Sequence, residues 1–356
     1  MNSQHLETRN LFSVGVPLAS LAFIFALYSP ALAEDAPVVS SGFKLTTFAT
    51  PPAGLSKPDS ISIINGEVWI GYGNEGKKDG ADNAMSAIVT YSMDGKVLKT
   101  LALKGHNDGV KLDPATGKVW AMNNEDGNPS LDVIDPKTWA VEHYTFGKAR
   151  HGGGYDDIVF ASGGAYVTAS NPSVDGGKQN PGSSIEKAVL GKNHKVMVSA
   201  VLSGTPTVTD ITTGKSEKLN LADPDSITVA PTGDLVMTSQ DDAELLFVSN
   251  FSTKAKARVL HLKGGVKVDD TTFVNGAKGF LLVSDTPANV VYKIESDKPW
   301  EIGQAYSAMS GVDADEKAKT PAIAGYVGNL DLKSGALTPI VDKMQAPHGL
   351  AFVTEK

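Results

Sequence analysis

Apolar and polar residues alternate with a period of two along most of the chain. In the clearest stretch, Gly105-His106-Asn107-Asp108-Gly109 leads into Val110-Lys111-Leu112 and reverses at Pro114-Ala115-Thr116-Gly117. It returns through Val119-Trp120-Ala121-Met122 to a polar cluster, Asn123-Asn124-Glu125-Asp126. Alternation of this kind predicts strands, with successive side chains on opposite faces. The same arrangement recurs. Pro58-Asp59-Ser60-Ile61 passes through Asn65-Gly66 to Val68-Trp69-Ile70, and Asn-Gly between alternating runs is a strong hairpin signal. Further openings read Tyr155-Asp156-Asp157-Ile158, Pro224-Asp225-Ser226-Ile227, Val268-Asp269-Asp270-Thr271 and Pro347-His348-Gly349-Leu350.

Where nothing is inserted, these openings recur about every 45 to 50 residues, the period of a four-stranded propeller blade. No sustained 3.6-residue apolar period follows residue 33, so few helices are expected. The pattern predicts an all-β fold, a β-propeller of six four-stranded blades, with seven as the alternative. A lone strand at Gly42–Phe48 and the strand after Pro347 are expected to close the ring together, hiding sheet edges. The fifth unit is read as running from Val268 directly to Val283-Ser284-Asp285. Extra sequence lies between Asn171 and Pro224, including a hairpin-like stretch at Val208–Leu221.

The first 33 residues differ. Arg9 precedes a mostly apolar run, Leu11 to Tyr28, and Ala31-Leu32-Ala33 has the form of a cleavage site. A signal peptide over residues 1–33 is expected, then a flexible stretch over 34–41 and a propeller domain over 42–356. The mature protein is expected in a periplasm or outside the cell, with no membrane attachment after cleavage. The chain has no Cys, so disulfides cannot brace it. Its net charge of −8, without a basic stripe, argues against a nucleic-acid partner. A monomer that takes a small molecule, or an unidentified protein partner, is expected.

In a propeller the first strand of each blade lines the central channel, so residues that open it gather at one mouth. Asp59, Asn107, Asp108, Asp156 and Asp269 are the candidate ligand-binding residues. Mixed carboxylates and amides suit Ca²⁺ or another hard divalent cation, with Glu125, Asn171 and Asp225 as candidate metal ligands. Asp157 and His348 are the candidates for moving a proton. Asp and Asn before strands also cap turns, so the case rests on recurrence at one level rather than on any single residue. Gly152-Gly153-Gly154 precedes a strand and is read as a close backbone approach, not a phosphate cradle.

The segments Pro347–Phe352, Asp108–Ala121 and Pro224–Ile227 resemble the superfamily of gluconolactonase-like (senescence-marker-like) and NHL-repeat propellers. Gly105–Gly109, Asn124-Glu125-Asp126 and Gly153–Asp157 look like a family of exported bacterial propellers within it. The resemblance implies six blades and one Ca²⁺-type ion in the channel that polarises a lactone carbonyl. Asn171 and Asp225 match the ion-binding positions, with Glu125 as a replacement for the family's glutamate, which lies on the first inner strand where this chain has Asp59. A small-ligand-binding propeller is therefore the first reading, and a Ca²⁺-dependent lactonase the alternative. A metal-assisted lyase using His348 and Glu125 is the third.

Overall fold

The structure, a computed structural model, describes residues 36–311 and 323–355. The expected signal peptide and the charged stretch around 313–319 lie outside the described residues. Among these residues the fold is all-β, with two short 3-10 turns (175–177 and 192–194) as its only helical segments. No helix of the described residues is long and apolar enough to cross a membrane.

Six strands share a position at one edge of a sheet, and we label them in chain order: β1 (Pro58–Ile64), β2 (Asn107–Leu112), β3 (Ile158–Ala161), β4 (Pro224–Val229), β5 (Val268–Phe273) and β6 (Pro347–Thr354). From β1 the chain meanders outward through 67–72, 85–91 and 97–104, all antiparallel. The meanders that start at β2 and β3 join at their outer strands by a short parallel pairing, Thr145 with Lys195 and Phe146 with Val196. They therefore form one eight-stranded sheet. The extra hairpin (207–210 and 216–218) extends the β4 sheet, again by a parallel pairing at its outer strand.

The chain does not proceed from β5 to its spatial neighbour as expected. β5 pairs with 305–309, whereas 279–285 pairs with β6 and with 290–296. The hairpin 279–296 is thus lent to the final sheet, which takes β6 from the C-terminal end and Phe43–Ala49 from the N-terminal end. Among the described residues, a strand near each end is thus held in one sheet. The adjacent Val38–Val39 pairs with Val341 and Asp342 of the β5 sheet.

The core lies between sheets. Val68 and Ile70 pack with Phe280, Leu282 and Val353 of the final sheet, while Trp69, pointing the other way, packs with Val110, Val119 and Ile134 of the next. Each inner sheet therefore buries both faces, which explains why strands such as Val68-Trp69-Ile70 are apolar without a break. β1, β2, β3, β4, β5 and β6 adjoin in that order and β6 returns to β1. The arrangement is consistent with a β-propeller.

Candidate functional site

The candidate site begins as an irregularity repeated in the strand openings. In β1, Pro58 pairs with Tyr72 and the next paired residue is Ile61, opposite Ile70. Three steps on one strand face two on the other, which is a β-bulge. The same bulge follows Asn107, Pro224 and Val268, and a register shift accompanies Pro347. At β3 the equivalent doublet is held by Asp156 N donating to Thr168 O at 3.3 Å and Thr168 N donating to Asp157 O at 3.1 Å. Each opening therefore releases two residues from the regular ladder, and they serve different purposes.

The first residue of each doublet lines one cavity: Asp59, Asp108, Asp156, Asp225, Asp269 and His348. The second faces the following strand. Asp157 Oδ2 accepts the Ile227 N–H at 3.2 Å, Asp270 Oδ2 accepts the Leu350 N–H at 2.9 Å, and Ser226 Oγ donates to the Asp269 carbonyl. Gly109 and Gly349 occupy this second position where neighbouring strands come closest. A Cβ on Gly349 would strike the Asp59 carbonyl, and one on Gly109 would strike Asp157.

The cavity has a volume of about 220 Å³ and is lined by ten carboxylates, with Lys78 and His348 the cationic side chains among its lining. So many acids cannot all ionise in a partly desolvated space without counter-charge. Burial, then repulsion from neighbouring carboxylates, holds Asp108, Asp156 and Asp225 well above the usual range. Burial and Asp241 raise Asp223 to about 7, and burial raises Asp270 to about 7 against the pull of Lys111. Glu125 goes the other way. Burial would raise it, but hydrogen bonds from Asp108 and Asp156 and the Lys78 ammonium outweigh burial and keep it ionised.

His348 joins two of these acids. Its Nδ1 lies 3.3 Å from Asp59 Oδ2 and 3.5 Å from Asp269 Oδ2, and Gln240 Nε2 donates to the same Asp269 oxygen at 3.0 Å. Burial disfavours the imidazolium, yet Asp269 and Asp59 overcome that and raise His348 to about 9. One donor atom from each of Asp59, Asp269 and His348 lies within 4.8 Å of the others. Two carboxylates and an imidazole so placed fit a hard or borderline divalent ion. A second such trio is His106, Asp108 and Glu125.

The structure thus gathers Asp59, Asp108, Glu125, Asp156, Asp157, Asp225, Asp269 and His348 at one cavity. Two expected amides are elsewhere. Asn107 is fully buried and donates to the Met122 carbonyl at 2.9 Å, bracing its own hairpin. Asn171 is exposed, and its amide reaches the Asp126 carbonyl at 3.4 Å. Neither is among the cavity-lining residues, because each sits one position before or beyond the point where the backbone turns inward. Asp157 lines the wall, but one oxygen holds Ile227 and the other faces Lys111 Nζ at 3.6 Å. Asp285 likewise caps backbone, accepting the Gln345 and Ala346 N–H groups. His151, fully buried, bonds the Gly154 carbonyl at 2.7 Å outside the cavity lining. Gly153 and Gly154 pack against the carbonyls of residues 170–171 and 124–125, a close approach as the sequence suggests.

Sequence reasoning missed Lys78 and Asp223 as parts of the lining, whereas the doublet Asp269-Asp270 stands at the mouth as its strand opening suggests. Lys78 lies in a Gly- and Asp-rich loop with no periodicity to place it. Asp223 could have been noticed as the acid before Pro224.

No protein-family model matches the chain, and no curated protein matches it in sequence. Solved structures do resemble it. A Bacteroides caccae protein of unknown function is 13% identical with a TM-score of 0.47, over 85% of this chain and 89% of that one. A protein provisionally described as a gluconolactonase is 12% identical with a TM-score of 0.45, over 86% and 83% of the two chains. Virginiamycin B lyase from Staphylococcus aureus is 13% identical with a TM-score of 0.43, over 75% and 96%.

Proposed function

We propose that this chain is an exported, six-bladed β-propeller whose acidic cavity binds a hard divalent cation and, beside it, a small oxygen-rich ligand. The observation that carries this reading is the convergence of Asp59 and Asp269 on His348. A proton on the imidazole there serves two carboxylates, and a divalent ion in its place would serve them better. Asp59, Asp269 and His348 would hold the ion, which would supply a polarising charge. Asp108, Asp156 and Asp225, raised and able to donate, would receive hydroxyl or carbonyl oxygens of the ligand. The ring order of β1 to β6 supports the count of six blades.

The ligand set bears on which ion is taken. Carboxylates alone suit Ca²⁺, whereas an imidazole among them favours Mn²⁺ over Ca²⁺. Calorimetric titration of the metal-stripped protein with each ion tests this. One equivalent bound, and lost in Asp269→Asn, supports the reading; no binding at millimolar concentration of either ion defeats it.

One observation favours a second reading, a lactonase-type hydrolase. His348 touches the same acids that would hold the ion; an ion that took Asp59 and Asp269 would remove the charges that keep the imidazole protonated and leave it placed to accept a proton from an attacking water, if it does not ligate. Asp157 does not suit this task, since both its oxygens face other partners. Turnover of sugar lactones that vanishes in His348→Gln while cation binding persists would establish the hydrolase.

A further inference from the structure

The second trio, His106, Asp108 and Glu125, resembles the first in composition but differs in its surroundings. The Nζ of Lys78 sits directly on Glu125 Oε1, and the charge of Lys78 is also felt by Asp108. The lysine side chain is half-exposed while Glu125 is buried, so the ammonium reaches inward from the rim.

Its backbone is fixed by several separate bonds. Asp126 N donates to the Lys78 carbonyl at 3.1 Å, and Gly80 N donates to that of Lys77 at 2.9 Å. The Lys77 N–H is accepted by Asp82 at 2.9 Å, and the Asn128 amide donates to the Asp79 carbonyl at 3.0 Å. His106 belongs to the same construction. Its Nδ1 lies 3.0 Å from the Gly76 carbonyl, which can only accept, so Nδ1 donates and Nε2 is the nitrogen left for another partner. The loop thereby sets both the imidazole tautomer and the position of a cationic group over the trio.

We propose that Lys78 is a tethered cation filling a second divalent position formed by His106, Asp108 and Glu125, so that the cavity accepts one divalent ion rather than two. This rests on the reading that Asp59, Asp269 and His348 take the first ion. The ammonium supplies one positive charge where a divalent ion would supply two. It cannot dissociate, so it competes at high local concentration. Lys78 is on this account a residue that sets stoichiometry and selectivity, and takes no part in holding the first ion.

The test titrates the full chain, stripped of metal, with Ca²⁺ alone and Mn²⁺ alone in a calorimeter. Wild type is expected to take one ion, Lys78→Met two and Lys78→Arg one. Lys78→Met combined with Glu125→Gln should return to one. Two Mn²⁺ ions in one cavity should also broaden each other's paramagnetic resonance, a signal absent from wild type. Lys78→Gln, carried in parallel, keeps the test open should the Met variant fold poorly. If both neutral variants still take one ion with wild-type affinity, the tethered-cation proposal is wrong although the first site stands. If wild type takes none, the reading of the first site fails. The proposal would then survive only if Lys78→Met gains one ion that Glu125→Gln removes.

Discussion

Removing the Asp157 side chain separates a structural role from a chemical one. Its carboxylate, 7% exposed, accepts the Ile227 N–H at 3.2 Å and lies 3.6 Å from Lys111 Nζ. Asp157→Ala leaves a buried N–H without its partner, which costs about 1–3 kcal/mol. It also weakens the compensation of a partly buried ammonium, for which the full loss of a partner costs about 3–5 kcal/mol. Lys111 still feels Asp270 and Asp156, so the second cost is well below that bound. The expected total is about 2–4 kcal/mol, large beside the roughly 5–15 kcal/mol by which folded domains are stable. Asp157→Asn keeps an acceptor for Ile227 and should lose about half as much. Urea unfolding measures this as a lower midpoint at an unchanged slope. Adding Lys111→Met to Asp157→Ala should recover part of the loss, since the ammonium that lost its partner is gone and Asp270, raised by burial, can stay protonated. An Asp157→Ala variant as stable as wild type that has lost only ligand or ion binding would show that the carboxylate is chemical and not structural.

Other expectations concern pH, close packing and ion choice. Asp223 and Glu244 are both raised by burial to about 7, above unfolded values near 4. The folded protein then binds protons that the unfolded chain has released. Their contribution to stability is complete below about pH 4 and is lost as pH rises through about 7, so the metal-free protein should show a falling urea midpoint between pH 5 and 8. Gly349→Ala would push a methyl into the Asp59 carbonyl and should destabilise by about 1–3 kcal/mol, read by thermal unfolding; Gly66→Ala, where nothing lies near, tests positive-φ strain alone. His348→Gln should weaken Mn²⁺ binding more than Ca²⁺ binding, at least tenfold by calorimetry, because only the former gains from an imidazole ligand.

The inward-facing ring was legible because it is a local pattern. A bulge that frees two residues before an apolar run leaves a written trace, as in Pro58-Asp59-Ser60-Ile61 and Pro224-Asp225-Ser226-Ile227. Which member of a doublet turns inward was not legible. Asp156 and Asp157 are the same residue type, and only the approach of β4 decides that the second one holds Ile227. The exchange that sends 279–285 to β6 instead of β5 was hidden for another reason. Strand partners far apart in sequence are chosen by closure of the whole ring, and alternation within a strand is the same whichever neighbour it meets. Lys78 escaped notice because its position depends on bonds between two loops, neither of which has a period. Asn171 misled because an amide after a strand end looks alike whether it points into the channel or caps the loop beside it.

Crystals of the metal-stripped protein soaked in Mn²⁺ and measured at the manganese absorption edge would show whether Asp59, Asp269 and His348 hold a divalent ion. A single anomalous peak bounded by Asp59, Asp269 and His348, and gone in Asp269→Asn, is the predicted result. A cavity without a peak at millimolar Mn²⁺, or a peak away from these three side chains, would contradict the account.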